Sequence, residues 1–427
     1  MPHRRTPPLS NLHLPDGTHV RYRAWSPTAT AFCTPAHEAA CLDALQALQR
    51  DTRTAHPDAD LWSAVLAQMD VATAYPPETT HPLLATLGAK AVGNASARAQ
   101  FNAGLKAARA AVDAVDPSAA AADHVAVART GRCVALTYRK RTYTLRPRVY
   151  QRIRRQYDAR KAATVGRSTT PFDDLVWMGM HRYNAFGLYN NSQGSTTERH
   201  YAQLHARIGT SVEGFGSFFN HTRPYYFGLF PDLEWRFGCL GNAFHAELRA
   251  GFFVVNPPFT TPLMNRTIAH VQRQLAQATG RLRVLLVVPT WVDDERRQLN
   301  AVCRQRLQVG AYEDEAPVQT ATLRAHPCTL QYALYCKEHY LYHSFLTDRP
   351  THFCATTTVL LSNRAATDRR LVGIVNGVMG APTRVWEGAT RAFVGRRRRS
   401  ARRHRPRVIA PPKTNAKGFF KKTSKRR

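Results

Sequence analysis

Residues 252–259, Phe-Phe-Val-Val-Asn-Pro-Pro-Phe, constrain the fold of this 427-residue chain more than any other stretch. Their four leading apolar residues predict a short buried strand. Because proline cannot donate a hydrogen bond to a sheet, the two prolines end that strand and begin a rigid loop. Pro262 then opens a helix whose apolar face repeats from Met264 to Leu275. In α/β folds, a loop of this kind lies at the carboxyl edge of the sheet, where ligands bind.

The loop that begins at Asn256 has chemistry suited to an exocyclic amine such as adenine N6. The Asn256 side-chain oxygen and a neighbouring backbone carbonyl can each accept one N–H, which aims the nitrogen lone pair at a methyl donor. Phe259 offers an aromatic face on which a base can stack. We therefore predict that Asn256, Pro257, Pro258 and Phe259 are catalytic residues of amine methylation. The alternative is a purely structural strand and Pro-Pro turn.

The charge of the chain is the second strong signal. Lys and Arg number 60 against 29 Asp and Glu, which gives a net charge of +31. Residues 391–427 hold sixteen of the basic residues and no acid, so residues 1–390 keep 44 basic and 29 acidic side chains, a net charge of +15. A globular part this basic favours nucleic acid as a partner, although a solubilising surface is the simpler alternative. The 391–427 segment is predicted to be a disordered basic tail that serves nuclear import or nonspecific nucleic-acid binding.

Length and cysteine usage set further bounds. No apolar run approaches the roughly 18 residues of a membrane span, and the N-terminus lacks a secretory signal. Eight cysteines without a CxxC pair fit a reducing compartment better than a disulfide framework. A soluble intracellular protein with no membrane partner is therefore expected, in the nucleus if the tail is an import signal, with the cytoplasm as the location of a viral version.

Composition divides the chain into four predicted parts. Residues 1–35 are Pro-rich and polar, as in a flexible arm, and residues 36–125 are Ala-rich, as in a helical domain. Residues 126–385 alternate strand and helix patterns, which predicts an α/β domain with a mainly parallel sheet and right-handed crossovers. Residues 386–427 form the tail.

Local patterns predict several elements within these parts. The predicted elements are a hairpin over 134–145, a basic helix with Val149, Ile153 and Tyr157 on one face, a helix over 171–186, a capping box at Ser195–Glu198 for a helix to about Arg207, and strands at 284–289 and 355–361.

Glu213 closes another predicted strand, and small residues follow it as Gly214, Gly216 and Ser217. Glu213 and Asn256 both end apolar strands, so we expect both at the ligand-binding edge of the sheet. An acid at the end of a first strand commonly holds a ribose hydroxyl, and glycines let the backbone approach a cofactor closely. Together with the Asn256 loop, this turn indicates S-adenosylmethionine as the methyl donor.

Several ordered blocks resemble the cap-specific adenosine N6-methyltransferases, also called phosphorylated-CTD-interacting factors. The resemblance covers roughly residues 130–365. Its blocks are Val212–Asn220, Phe230-Pro-Asp232, Phe237–Gly241, Gly251–Phe259, Val288-Pro-Thr-Trp291, Glu338-His-Tyr340 and a helix ending in Arg182-Tyr183. Two positions depart from the family pattern: Phe218 stands where relatives tend to have proline, and Thr290 replaces an acid.

The resemblance implies a helical domain packed on a Rossmann-like methyltransferase domain. The implied substrate is the 5′ end of capped mRNA whose first transcribed nucleotide is adenosine, usually 2′-O-methylated. Asn256 and Pro257 would hold the N6 amine, and no metal is required because the sulfonium methyl is already activated. The implied cofactor-binding residues are Glu213, Phe215, Gly216, Ser217, Asn220, Asp232, Phe237 and Gly238.

Other side chains are candidates for substrate contacts. Arg182 can contact phosphate, Pro289 and Trp291 close a strand where a base or cap can stack, and Arg152 and Arg155 belong to a basic track for the RNA backbone. Two further functions stay open: a methyltransferase for DNA adenine or a protein amide, and a noncatalytic RNA-binding relative.

The tryptophan and the Cys/His spacings bear on a WW domain and on a zinc site. Trp25 and Trp62 lack WW-domain spacing, so we expect no WW-type contact to the phosphorylated polymerase tail. We also expect the chain to be a monomer. A zinc site at Cys336, His339 and His343 is a weak alternative reading, because the spacing is not a standard zinc pattern.

Overall fold

A computed structural model describes residues 10–22, 34–55, 95–161, 170–189, 193–290 and 320–387. In these residues the chain has a mixed α/β fold. Trp25, Trp62, Trp291 and the chain beyond Glu387 lie outside them. The predicted start of the disordered tail at residue 386 is wrong, because Trp386 and Glu387 pair in a strand with Tyr332 and Gln331. Within the described parts, no helix has both the length and the apolar character that a membrane crossing demands.

The strands, in chain order, are β1 (Ser10–His13), β2 (His19–Tyr22), β3 (Ala126–Arg129), β4 (Val134–Tyr138), β5 (Arg141–Leu145), β6 (Ser195–Thr196), β7 (Val212–Glu213), β8 (Tyr225–Gly228), β9 (Cys239–Asn242), β10 (Glu247–Val255), β11 (Leu282–Pro289), β12 (Thr329–Tyr335), β13 (Tyr342–Ser344), β14 (Arg349–Thr351), β15 (Thr356–Ser362) and β16 (Arg384–Glu387). The α-helices are α1 (Pro35–Ala55), α2 (Ala95–Asp113), α3 (Pro117–Ala122), α4 (Pro147–Lys161), α5 (Phe172–Ala185), α6 (Glu198–Ile208), α7 (Pro231–Glu234), α8 (Thr261–Gln277), α9 (Ala321–Arg324) and α10 (Arg370–Met379).

The main sheet has the described strands in the order β1-β2-β10-β11-β15-β12-β16, with β10 and β11 parallel. Strands β7, β8 and β9 form a parallel sheet of their own. A parallel bridge between Phe215 and Val255, just after β7 and at the end of β10, connects the two. In space, β9, β8, β7, β10 and β11 therefore follow one another as parallel neighbours.

The prediction of a mainly parallel sheet needs correction, because β15 runs antiparallel between β11 and β12. A parallel return needs a long crossover, usually a helix. The described segment between β12 and β15 instead contains the short strands β13 and β14 and a single 3-10 turn. The sheet is therefore mixed.

The apolar patterns of the sequence identify the core correctly. Strands β10 and β11 are buried on both faces over Phe252–Val255 and Val284–Val288, as expected for central strands. Helix α8 buries the predicted stripe of Met264, Ile268, Val271 and Leu275. The predicted 134–145 hairpin is present as β4 and β5, and α4 buries Val149 and Ile153.

Two local interpretations are revised by tertiary contacts. Residues 10–22, within the segment predicted as a flexible arm, form a hairpin whose strand β2 pairs antiparallel with β10. Ser195 does not cap α6, because it pairs in β6 with β13. Thr197 is the N-cap instead, and its hydroxyl accepts the His200 N–H at 3.2 Å.

Replacing Thr197 by Ala is expected to lower the free energy of unfolding by about 1 kcal/mol, because the helix loses its capping acceptor. Ser195→Ala is the matched control. The Ser195 hydroxyl is buried without a hydrogen-bond partner in the described structure, so its removal costs little. Urea denaturation of both variants measures the difference. A larger loss for Ser195→Ala would contradict this assignment of the cap.

Candidate active site

Asn256 lies at the end of β10 with only 7% of its surface exposed. Its side-chain oxygen is buried and has no hydrogen-bond partner among the described residues. Its Nδ2 lies 3.5 Å from the Pro257 carbonyl oxygen, which is long for a hydrogen bond. A buried acceptor left unpaired costs about 1–3 kcal/mol, so this oxygen is available to a donor from a bound molecule.

The turn after β7 lies directly beside this loop. The Gly214 N–H donates to the Val254 carbonyl at 2.9 Å, and Phe215 bridges to Val255. A Cβ at Gly214 would lie 2.6 Å from the Val255 side chain, so this approach requires glycine. The structure thus brings together the two segments that the sequence marked for the cofactor and the amine.

Gln193, which the sequence analysis missed, holds the turn after β7 in place through hydrogen bonds. Its side-chain oxygen accepts the Ser217 hydroxyl at 2.9 Å, and its carbonyl accepts the Asn220 amide at 3.1 Å. Asn220 in turn accepts the Ser217 N–H at 2.9 Å. The Gln193 Nε2 is buried and has no partner within the described part of the chain, so a second unpaired polar group lies at this turn.

Gln193 also lies next to the Asn256–Phe259 loop. A Cβ on its neighbour Gly194 would be 3.3 Å from the Phe259 ring. Nothing in the local sequence distinguishes Gln193 from a surface glutamine, because its role comes from contacts 24 and 27 residues away.

Glu213 is buried, and its carboxylate accepts hydrogen bonds from residues that follow it in the chain. One carboxylate oxygen accepts the Thr222 N–H, the Thr222 hydroxyl at 3.0 Å and the Arg223 N–H at 2.8 Å. Burial raises the pKa of Glu213, although these hydrogen bonds oppose the shift. The predicted ribose contact of Glu213 stays a prediction.

Arg182 is occupied by carboxylates rather than open to a phosphate. Only 1% of the residue is exposed. Its Nε and Nη2 donate to the two oxygens of Glu38 at 2.7 and 2.5 Å, and its Nη1 donates to Asp232 at 2.6 Å. Burial favours a lower pKa for Arg182, but the two carboxylates outweigh it and raise the pKa. The guanidinium therefore joins α1 and α5 to α7, which carries Asp232.

Other predicted cofactor residues belong to the packed interior. Phe237 stacks on Phe218 with ring centroids 5.1 Å apart. Phe218 occupies the space above Gly179 in α5, where a Cβ would lie 2.4 Å from its ring. This glycine accommodates the departure from the proline of the relatives. Gly238 has a φ of +103°, a conformation that favours glycine.

The remaining predicted residues lie in different environments. Phe259 is buried and packs edge-on to Tyr342 at 5.3 Å, so its face is covered in this structure. Pro289 ends β11 in the interior. Arg152 donates to the Phe219 carbonyl and lies 3.7 Å from Asp348. Arg155 is exposed on α4.

The three side chains of the weak zinc alternative have separate surroundings. His339 Nδ1 lies 3.1 Å from the Thr383 hydroxyl, whereas His343 pairs with Asp348 at 3.2 Å. Cys336 is buried. Among the described residues, no group of three or more His, Cys, Asp or Glu side chains has an arrangement that could hold a metal ion.

Glu234 was also missed by the sequence analysis. It is fully buried, and one oxygen accepts the Tyr183 hydroxyl at 2.8 Å and the Phe218 N–H at 3.3 Å. The other oxygen lies 2.2 Å from where a Cβ at Gly228 would be, so the carboxylate fills the space this glycine leaves. Burial raises the pKa of Glu234 to about 8.

A known protein family matches the part of the chain that contains the Glu213–Ser217 turn and the Asn256 loop. Residues 152–316 match the family model described as the phosphorylated CTD interacting factor 1 WW domain. This region of the chain is therefore similar to the phosphorylated CTD interacting factor family. The resemblance predicted from the sequence is thus confirmed over this region. Since the description of the family model refers to a WW domain, the expected lack of a WW-type contact stays a prediction.

Two curated relatives carry the name mRNA (2′-O-methyladenosine-N(6)-)-methyltransferase. The protein from Homo sapiens is 30% identical over 150 residues, and the protein from Mus musculus is 29% identical over 150 residues. Each match covers 33% of this chain and 21% of the relative. The chain therefore spans about a fifth of the length of the curated relatives it matches.

Arg182→Met should lower the free energy of unfolding by roughly 3–5 kcal/mol, because it leaves the buried carboxylates of Glu38 and Asp232 without a counter-charge. Arg364→Met, at an exposed position, is the control and should change stability little. Chemical denaturation measures both. A loss below about 1 kcal/mol for Arg182→Met would show that the carboxylates are relieved in another way.

The raised pKa of Glu234 predicts a pH dependence of stability. The folded protein keeps a proton on this side chain between the ordinary value of 4.5 and about 8, where the unfolded chain has lost it. The free energy of unfolding should therefore fall as pH rises through this window, by on the order of a few kcal/mol. Thermal unfolding of the wild type across pH 4.5–8 measures the fall.

Glu234→Gln should remove most of this slope, because glutamine retains the acceptor for Tyr183 but does not titrate. Glu247→Gln, on the partly exposed edge of β10, should keep it. Equal slopes in Glu234→Gln and the wild type would assign the effect to another group.

Proposed function

We propose that this chain transfers a methyl group from S-adenosylmethionine to the N6 amine of the cap-adjacent adenosine, 2′-O-methylated, in capped mRNA. The observation that carries the proposal is the contact between the Gly214–Phe215 turn and the β10 strand that ends in Asn256. This contact puts a close-approach backbone turn beside a buried and unpaired amide oxygen.

The order of the strands supports a Rossmann-like arrangement for this part of the chain. From β7 the chain moves outward through β8 to β9 and then returns to the other side of β7 as β10 and β11. The order reverses between β7 and β10, and in open α/β sheets ligands bind in the crevice at such a point. Asn256 and the Glu213–Ser217 turn lie at this reversal.

The residues present fit the methyl donor. Gly214 and Gly216 leave the turn without side chains, and the buried Nε2 of Gln193 is a donor without a partner in the described structure. We assign the Glu213–Ser217 turn, Asn220 and Gln193 to the cofactor. When bound, S-adenosylmethionine supplies an activated methyl group on a sulfonium.

The protein's own contribution is to grip the amine. The Asn256 Nδ2 lies 3.5 Å from the Pro257 carbonyl oxygen, so the carboxamide, whose Oδ1 is unpaired among the described residues, lies beside a second acceptor. We assign these two oxygens to the two N–H groups of one exocyclic nitrogen. Accepting both N–H bonds draws the nitrogen toward tetrahedral geometry and directs its lone pair. The fixed φ of the prolines presents the carbonyl without reorganisation.

The assignment to capped RNA is supported by the name of the relatives and by charge. Both relatives are named for 2′-O-methyladenosine N6 methylation of mRNA. A net charge of +15 on residues 1–390 suits a polyanionic substrate. We further propose nuclear localisation through the basic tail and action as a monomer.

Methyl transfer from a labelled donor tests the function directly. The substrates are capped RNA that starts with 2′-O-methyladenosine, the same RNA uncapped, capped RNA that starts with guanosine, adenine-containing DNA and a glutamine-containing peptide. Label confined to the capped adenosine RNA is the expected result. Transfer to DNA or peptide would assign another methyltransferase activity, and no transfer despite RNA binding would assign a noncatalytic relative.

Asn256→Ala should reduce turnover by about 10²–10³-fold, because the amine loses one organising acceptor. Binding of S-adenosylmethionine, measured by calorimetry, should stay close to wild type. Asn11→Ala on the edge strand β1 is the control and should retain full turnover. Wild-type turnover in Asn256→Ala would remove this residue from the mechanism.

A further inference from the structure

A cleft of about 720 Å³ opens at the start of helix α4. Three elements distant in sequence line it: the β3–β4 turn with Arg132, the first residues of α4 with Arg146 and Arg148, and the β13–β14 turn with Arg349. These four arginines come together only in the fold.

The four guanidiniums are exposed, and no carboxylate among the described residues pairs with them. Asp348 also lines the cleft, but its carboxylate is engaged, with His343 at 3.2 Å and Arg152 at 3.7 Å. Four uncompensated positive charges around one concave surface attract anions and raise their local concentration.

A second cleft of about 550 Å³ continues on the other side of Pro147, which lines both. Its walls include Arg129, Arg154 and Arg155. Together the two form an arginine groove, defined here by Arg129, Arg132, Arg146, Arg148, Arg154, Arg155 and Arg349. A single phosphate needs one or two such residues, so this length suits an extended polyanion.

The groove offers charge but no open aromatic face. Tyr150 lines the second cleft, yet its ring is buried and its hydroxyl donates to Asp173 at 2.5 Å. Base recognition in single strands relies on stacking and on base edges. The groove therefore has the means to contact a sugar–phosphate backbone and lacks the means to read bases.

The β13–β14 hairpin links the groove to the catalytic loop. Thr351 lines the first cleft and lies opposite Tyr342 in the strand register. The Tyr342 ring in turn packs 5.3 Å from the Phe259 ring. The end of the groove at Thr351 is thus connected to the Asn256–Phe259 loop through Tyr342.

We propose that the arginine groove binds the phosphodiester backbone of the single-stranded RNA that carries the target nucleotide, independently of base sequence. This inference rests on the proposed function for the identity of the strand. An RNA strand fits better than an acidic peptide, because a nucleic acid carries a phosphate at every nucleotide and Arg forks bind phosphate in a bidentate way.

The test uses the full chain with Arg146→Ala and Arg349→Ala combined. Methyl-transfer kinetics compare a capped RNA of about twenty nucleotides with a capped dinucleotide. For the long RNA, KM should rise roughly tenfold at about 0.15 M salt, and the slope of log affinity against log salt should fall by about 1.4, because each phosphate contact contributes about 0.7. For the dinucleotide, KM should not change.

The matched control combines Lys106→Ala and Arg364→Ala, which removes the same charge from exposed positions outside the groove. Equal KM values for control and groove variant on the long RNA would overturn the proposal. A raised KM for both the long RNA and the dinucleotide, with wild-type stability, would also overturn the proposal. The groove would then bind the cap and first nucleotides rather than the RNA that follows them.

Photo-crosslinking with thiouridine-labelled RNA gives a readout independent of catalysis. The proposal expects crosslinked peptides from residues 129–155 and 347–351, lost in the groove variant. If crosslinks form there without methyl transfer, the groove stands and the proposed function fails. If a phosphorylated peptide displaces the groove crosslinks while a competing unlabelled RNA does not, the groove is a peptide site and the inference is wrong.

Discussion

The buried guanidinium of Arg182 is the interaction on which the rest of the structure depends. It joins α1 through Glu38 to α7 through Asp232, across 144 and 50 residues of sequence. An arginine with about 1% exposure is tolerated because two carboxylates compensate its charge. This network fixes the N-terminal helix against the sheet that carries the candidate active site.

From this network a chain of hydrogen bonds reaches the Glu213–Ser217 turn and Phe218, which follows it. Tyr183, the residue after Arg182, donates to Glu234, and Glu234 accepts the Phe218 N–H. Asp232 and Glu234 are two residues apart in α7, so the ion pair and the hydrogen-bonded carboxyl are positioned together. Hydrogen bonds from buried side chains therefore hold the backbone next to the turn that we assign to the methyl donor.

The candidate site contains two buried polar groups that have no partner in the part of the chain that the structure describes. The Asn256 oxygen and the Gln193 Nε2 are both buried without partners among the described residues, at the point where β7 and β10 meet. Such groups lower stability unless a ligand pairs with them. Both groups lie near Gly214 and Gly216, whose lack of side chains lets a ligand come close to the backbone. The fold thereby supplies the two features that the proposed chemistry needs.

The sequence by itself determined the features that follow from short-range pattern: the strand ending in Asn256-Pro-Pro-Phe259, the buried stripe of α8, the β4–β5 hairpin and the excess of positive charge. These depend on periodicity and on proline geometry, which act within a few residues. The family resemblance also required no structure, because ordered blocks of residues carry it.

Only the tertiary structure decided which distant segments of the chain contact each other. It placed residues 10–22 on the edge of the sheet, turned β15 antiparallel, moved the α6 cap from Ser195 to Thr197 and enclosed Arg182 between two acids. It also recruited Gln193 and assembled the arginine groove from three separate elements. Each of these outcomes depends on which distant segments meet, and pairings between distant segments leave no periodic signal along the chain.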